Sequence, residues 1–286
     1  MSKLLKVLLP KVSKKAARVF EEAAGDPKTS QANILQNLIQ TNQNTAFGKD
    51  HGFSKIQNSS DYRKQVPMRD FEGFRPYVDR LIQGEPSILT ESVPSLYATT
   101  SGTTGKPKLI PVTQEFKASL QDMSRVWMRR SQQDHKNVLD HTILCVVSPA
   151  IEGHTETGQP FGAMSGITYK QMPKLLKSQY TLPYPVMELE DYDLRYLVMM
   201  RLALETQVSL IVAPNPSTWL RMAKTSVEYG ESFIRGIRDG NLGLEGILDV
   251  SKLNEADQER VKNIESKLFY NPVRASELEG VASAGG

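Results

Sequence analysis

Apolar residues recur along this chain at two different spacings, and the points where one gives way to the other outline its organisation. In "SQANILQNLIQTNQNTAF" the residues Ile34, Leu35, Leu38 and Ile39 fall at helical intervals, which predicts a helix with one apolar face, stopped at Gly48. In "DYRKQVPMRDFEGFRPYVDRLIQGEPSIL", Pro67 and Pro76 should cut the segment into short helices, and Gly84, Glu85 and Pro86 should supply a turn. "SLYATT" and "KLIPVT" have strand composition and bracket a hydroxyl-rich loop. Thr113 then suits the N-cap of a long helix in which Phe116, Leu120, Met123 and Trp127 recur at helical steps, a stripe expected to be core.

Two strand-and-helix units follow. The first is "HTILCVVSPA", a glycine-rich loop and "DYDLRYLVMMRLALET"; the second is "VSLIVAPN" and "PSTWLRMAKTSVEYGESFIRGI", with Asn215 and Pro216 as cap and first-turn residue. Apolar strands alternating with amphipathic helices predict an α/β fold, a mostly parallel sheet flanked by helices. Residues 1–90 are expected to form a helical region packed on a main α/β domain of residues 91–286, and the closing "ASELEGVASAGG" to fray.

Composition narrows the function. Of the 286 residues 39% are hydrophobic and 23% charged, ordinary for a globular chain. The net charge of +3 arises from 35 basic and 32 acidic residues with no long basic block, so no nucleic-acid partner is expected. A single cysteine, Cys145, forms no internal disulfide and reads as a structural thiol in an apolar run. The opening "MSKLLKVLLPKVSKKAARVF" is basic and partly apolar, but Lys6 and Pro10 interrupt it, so it reads as a surface helix carrying lysines. No apolar stretch has the length needed to cross a bilayer, and no membrane partner is expected; a reducing cytoplasm fits best.

The candidate chemistry lies in "YATTSGTTGKPKLIPVT". Hydroxyls and amide N–H groups of a tight glycine-bearing turn can surround phosphate oxygens while a lysine offsets their charge. Thr100, Ser101, Gly102, Thr103, Thr104, Gly105, Lys106 and Lys108 supply that set. The Walker pattern is excluded, because two residues rather than four separate Gly102 from Gly105 and Pro107 follows Lys106. Composition alone would equally suit a flexible surface turn.

The ordered string "TSGTTGKPK" resembles the phosphate-binding signature of the acyl-adenylate-forming superfamily. Its continuation "KLIPVT" is similar to the Gretchen Hagen, or auxin-responsive promoter, family of acyl-acid amido synthetases, whose first motif closes on Lys, two apolar residues and Pro. "NTAFGKDHGF" and "ILTESVPSLYATTSGTTG" agree in content and order. The resemblance implies an acyl-adenylate-forming N-terminal domain, with ATP and Mg²⁺ as cofactors and small carboxylic acid and amino acid substrates. It implies phosphate ligands at residues 100–106 and 108, with Ser101, Thr103 and Thr104 favoured.

The family's second motif, an aromatic residue followed by small residues and a Glu, and its third motif are not found; "EYGESF" around Tyr229 has the wrong order. The C-terminal subdomain with an adenylation lysine that the resemblance implies is not expected within these 286 residues. The expectation is therefore the N-terminal part of a longer synthetase, with an acyl-CoA or aryl-CoA ligase part, or a degenerate non-catalytic module, as alternatives. No catalytic residue is assigned. Trp127 is a candidate wall for the acid, in competition with its expected core role. Arg125, Arg129 and Arg130 are expected to be solvated. His154 and Glu156 form an H-x-E pair without the cysteines of a zinc site, so no metal ligand is assigned; His51, His135 and His141 are expected to be chemically idle.

Overall fold

A pair of antiparallel strands, residues 96–100 and 108–112, organises one compact unit of the protein, and helices dominate the rest. The computed structural model describes residues 3–100 and 108–284. Along the chain run α1 (Lys3–Gly25), α2 (Pro27–Asn42), α3 (Ala46–Asp50), α4 (Ser59–Gln65), α5 (Phe71–Ile82), β1 (Leu96–Thr100), β2 (Lys108–Val112), α6 (Gln114–Asp134) and β3 (Thr142–Cys145). β4 (Gly153–His154), β5 (Pro160–Gly162), α7 (Met164–Gln171), α8 (Lys174–Lys177), α9 (Tyr192–Glu205), β6 (Val208–Val212), α10 (Ser217–Asp239), α11 (Glu255–Glu265) and α12 (Pro272–Ala284) complete the order. Contacts divide them into two compact units, residues 7–134 with 150–167, and residues 3–6 and 135–149 with 168–284.

The first unit holds a mixed four-stranded sheet in the order β2-β1-β5-β4. β1 pairs antiparallel with β2 and parallel with β5, while β4 pairs antiparallel with β5. The glycine-rich segment expected to be loop thus supplies two strands. Its glycines allow this: a Cβ on Gly162 would lie 2.3 Å from the carbonyl oxygen of Ala150.

Around this sheet an aromatic cluster fixes the short helices. The Phe47 ring meets His51 at 4.0 Å and Phe53, Phe74 and Tyr77 at 5.3 to 5.8 Å, and the Arg69 guanidinium lies over Phe47 and Phe74. Arg69 also approaches His51 Nε2 at 2.7 Å, and since arginine can only donate, Nε2 accepts and Nδ1–H donates to the Phe47 carbonyl at 2.7 Å. His51 is therefore a buried neutral imidazole with a packing role.

Several local expectations shift. α2 ends at Asn42, and Gly48 lies inside α3, where a Cβ would meet the Asn42 carbonyl oxygen at 2.1 Å. Ile39 is buried, while Ile34 and Leu38 are exposed. α4 stops before Pro67 as expected, but Pro76 sits within α5, which the Asp70 cap and buried Val78 and Leu81 maintain despite the missing N–H. The stripe on α6 is not core: Phe116, Met123 and Trp127 are 51%, 67% and 49% exposed, and the residue α6 buries is Lys117. Helical periodicity identifies an apolar face but not what covers it. Thr113 does cap α6, its Oγ1 accepting from the Phe116 amide at 3.3 Å.

In the second unit β3 and β6 pair in parallel, as the strand-helix alternation predicts. α9 is buried on several sides through Leu194, Val198, Met199 and Leu202, packed with Phe233 of α10 and Val261 of α11. α10 starts one residue later than expected, with Pro216 at its N-cap position, and the Asn215 side chain accepts from the Ser217 amide at 3.0 Å. Residues 272–284 form α12 rather than a frayed end; Ala275 is fully buried and Arg274 donates to the carbonyl of Leu204 at 2.9 Å. Cys145 is partly buried against this core, and desolvation pushes its thiol up to about 11.

Two charges inside this unit are fully enclosed. The Arg201 guanidinium donates to the carbonyls of Asn241 and Gly236 and to Glu205 at 2.9 to 3.1 Å. Asp257 accepts from the amides of Glu190 and Asp191 at 3.0 and 2.8 Å and from Arg260 at 3.0 Å. Burial alone would raise its carboxyl, but these donors outweigh that cost and hold it below the usual range. A depressed native pKa contributes stability that is full above the unfolded value, about 4, and is lost as the pH falls through the native value. Asp257→Ala should destabilise the chain by ~3 kcal/mol at neutral pH, by stranding two amides and a guanidinium. In urea titrations that deficit should shrink below about pH 4.

Candidate functional site: the hairpin mouth

β1 and β2 deliver the two ends of the hydroxyl-rich loop to one place. Their register pairs Leu96 with Val112 and ends with Thr100 opposite Lys108. Ser101, Gly102, Thr103, Thr104, Gly105 and Lys106 lie outside the described residues; Thr100, Lys108 and Trp127 lie within them. The strands expected on either side of the loop are those the flanking residues adopt.

The mouth is built from side chains that composition did not single out. Thr99 Oγ1 donates to Glu152 Oε2 at 2.7 Å, tying β1 to the turn before β4. Lys108 Nζ lies 5.6 Å from the centre of the Phe71 ring on α5. Arg75 stacks on the same ring at 5.1 Å and pairs with Glu72 at 2.6 Å. The Glu72 carboxyl is held below its ordinary value, mainly by the Arg75 hydrogen bond, with a smaller contribution from the charge of Lys108. Lys108 is thus placed by an aromatic face and a nearby anion, a positioned ammonium at the edge of the loop.

Below the mouth β1 is apolar. Tyr97 is fully buried with Leu81 and Ile88, and Phe161 packs against them. Its hydroxyl has no hydrogen-bond partner among the described residues, and desolvation pushes it up to about 12, so it stays protonated across the physiological range.

Trp127 stands half exposed on α6 with Phe116 and Met123, an apolar face rather than a filled core. His154 and Glu156 are exposed at the β4–β5 hairpin, and no cluster of three or more His, Cys, Asp or Glu side chains suited to a metal occurs among the described residues. In the second unit a groove of about 760 Å³ is lined by Tyr169, Lys170, Lys174, Lys177, Tyr180 and Tyr184; none of the residues assigned from sequence lines it.

Of the mouth residues, Glu152 lies in the glycine-rich segment that follows β3. Phe71 and Arg75 gave no signal, because their meeting with Lys108 depends on how α5 lies against β2.

Comparison with known proteins agrees with this architecture. The family model described as "GH3 family N-terminal domain" matches residues 16–283. Indole-3-acetic acid-amido synthetase GH3.15 of Arabidopsis thaliana is 35% identical over 109 residues, 37% of this chain and 18% of that protein. Jasmonoyl--L-amino acid synthetase JAR4 of Nicotiana attenuata is 29% identical over 102 residues, 35% and 18% of the two chains. The solved structure of GH3.15 acyl acid amido synthetase superposes with a TM-score of 0.74 at 21% identity, covering 93% of this chain and 47% of that one. A second, in complex with 2,4-DB, gives 0.73. The shared fold is of the acyl-adenylate-forming type, and this chain spans about half the length of those solved chains.

The mouth depends on β5 lying close against β1. Gly162→Ala should cost about 2 kcal/mol or more, because the added methyl meets backbone that cannot swing aside. Chemical denaturation followed by circular dichroism measures this, and Gly158→Ala, in open space at a positive φ, should cost less.

Proposed function

We propose, from the premise that the chain belongs to the GH3 family, that it carries the ATP- and acid-binding part of an acyl-acid amido synthetase. The relatives named above are amido synthetases, and the chain shares their N-terminal domain. In the proposed reaction a substrate carboxylate oxygen attacks the α-phosphorus of ATP. The bond from that phosphorus to the bridging oxygen breaks, and pyrophosphate leaves with the electron pair. An amino acid amine then attacks the acyl carbon, AMP departs, and the nitrogen loses a proton to give the amide.

This chemistry asks the protein mainly to position and neutralise phosphate. The observation that carries the reading is the mouth of the hairpin: the string of hydroxyls, glycines and lysines opens from two fixed strands, with Lys108 at one lip and Thr100 at the other. Ser101, Thr103 and Thr104 are assigned to the β- and γ-phosphates, with Gly102 and Gly105 permitting close backbone approach and Lys106 and Lys108 supplying charge. Mg²⁺ is assigned to the phosphates themselves, since such ions are commonly held by one or two carboxylates plus phosphate oxygens; Glu152 is the carboxylate anchored at the mouth.

Trp127 is assigned to the acyl group. Its exposure with Phe116 and Met123 supports that role, because an open apolar face suits the hydrocarbon part of an acid.

Calorimetry with ATP and Mg²⁺ tests the loop. Ser101→Ala with Thr104→Ala should weaken binding roughly ten-fold or more while leaving thermal stability unchanged. Variants that unfold yet keep their nucleotide affinity would mean the loop is structural. Trp127→Ala should weaken binding of an aromatic acid and leave ATP affinity unaltered; equal losses for both ligands would remove Trp127 from the acyl pocket.

A further inference from the structure

Helix α1 docks by its less apolar side. From Val7 to Phe20 the sequence carries Lys11, Lys14, Lys15 and Arg18 and no acidic residue. At about 100° per residue, Val19 and Phe20 share one arc of α1, and the four basic positions run along one flank of it, where Arg18 pairs with Glu22 at 3.6 Å.

The residues held against the protein lie on the other flank. Ser13 and Ala17 are 1% and 5% exposed, and Glu21 pairs with Arg130 of α6 at 2.6 Å. Val19 and Phe20, by contrast, are 52% and 57% exposed, and Lys11, Lys14, Lys15 and Arg18 are exposed as well. An ordinary surface helix buries its valine and phenylalanine; this one buries a serine and an alanine.

We propose that α1 lies flat on an anionic lipid surface. The Val19 and Phe20 arc would enter the boundary between headgroups and acyl chains, and the basic flank would sit among lipid phosphates. The choice of a lipid surface rests on charge complementarity: an apolar arc with lysines along one side is the pattern of an interfacial helix. The earlier expectation of no membrane partner rested on spanning length. No helix among the described residues is long and apolar enough to cross a membrane, but lying in the interface requires neither property.

Sedimentation of the whole chain with vesicles tests the proposal. The protein should pellet with equimolar phosphatidylcholine and phosphatidylglycerol, remain in solution with pure phosphatidylcholine, and be released by high salt. Val19→Asp with Phe20→Asp should abolish pelleting, and Lys14→Gln with Lys15→Gln should weaken it roughly 30-fold. Neither pair should change the melting temperature, since all four side chains are exposed. Failure to pellet with anionic vesicles, or equal pelleting with neutral ones, overturns it. So does self-association of the chain that Val19→Asp abolishes, which would make the arc a protein interface.

Discussion

The pairing of β1 on both edges is the constraint from which the candidate site follows. A hairpin alone would be marginal in water, and its tip would wander with it. Here β2 holds one edge and β5 the other, so the strand entering the loop is anchored through Tyr97 and Ala98 to Phe161 and Gly162. The Thr99 contact to Glu152 extends the anchorage almost to the first loop residue.

Local devices maintain the surroundings of that strand. Amides at the start of α3 donate to the carbonyls of Ser87 and Ile88, so the aromatic cluster of the short helices is tied to the segment leading into β1. Arg69 serves this cluster twice, as a cation over two phenyl rings and as the donor that selects the tautomer of His51. In the other unit the same principle operates with full charges: Arg201 and Asp257 are enclosed, yet each is satisfied by backbone groups as well as by a partner of opposite charge. Such groups define which loops may pack together, because a misplaced loop would leave a charge bare.

What sequence revealed and what it hid divide along physical lines. β1, β2 and the capped start of α6 depend on neighbours in the chain, and their positions were legible. The partnership of β1 with β5 was not, because Gly162 reads as a loop glycine until the Ala150 carbonyl is seen above it. The spacing of Phe116, Leu120, Met123 and Trp127 gave the face correctly and its burial wrongly, since periodicity contains no information about coverage. Asp257, within "NEADQER", looks like any solvated helix acid; its burial is fixed by residues 66 and 67 positions away. The order of residues in the loop, rather than its composition, pointed to the family, whereas Phe71 and Arg75 at the mouth lie too far along the chain for a local pattern to connect them.

The subdued thiol of Cys145 has a practical corollary. With no other sulfhydryl in the chain, and this one shielded from its nucleophilic thiolate form at neutral pH, a cysteine placed by design near Thr100 would be the preferred target for a maleimide dye or spin label. The native background is therefore already suited to reporting on the loop by fluorescence or magnetic resonance, without first stripping sulfur from the core.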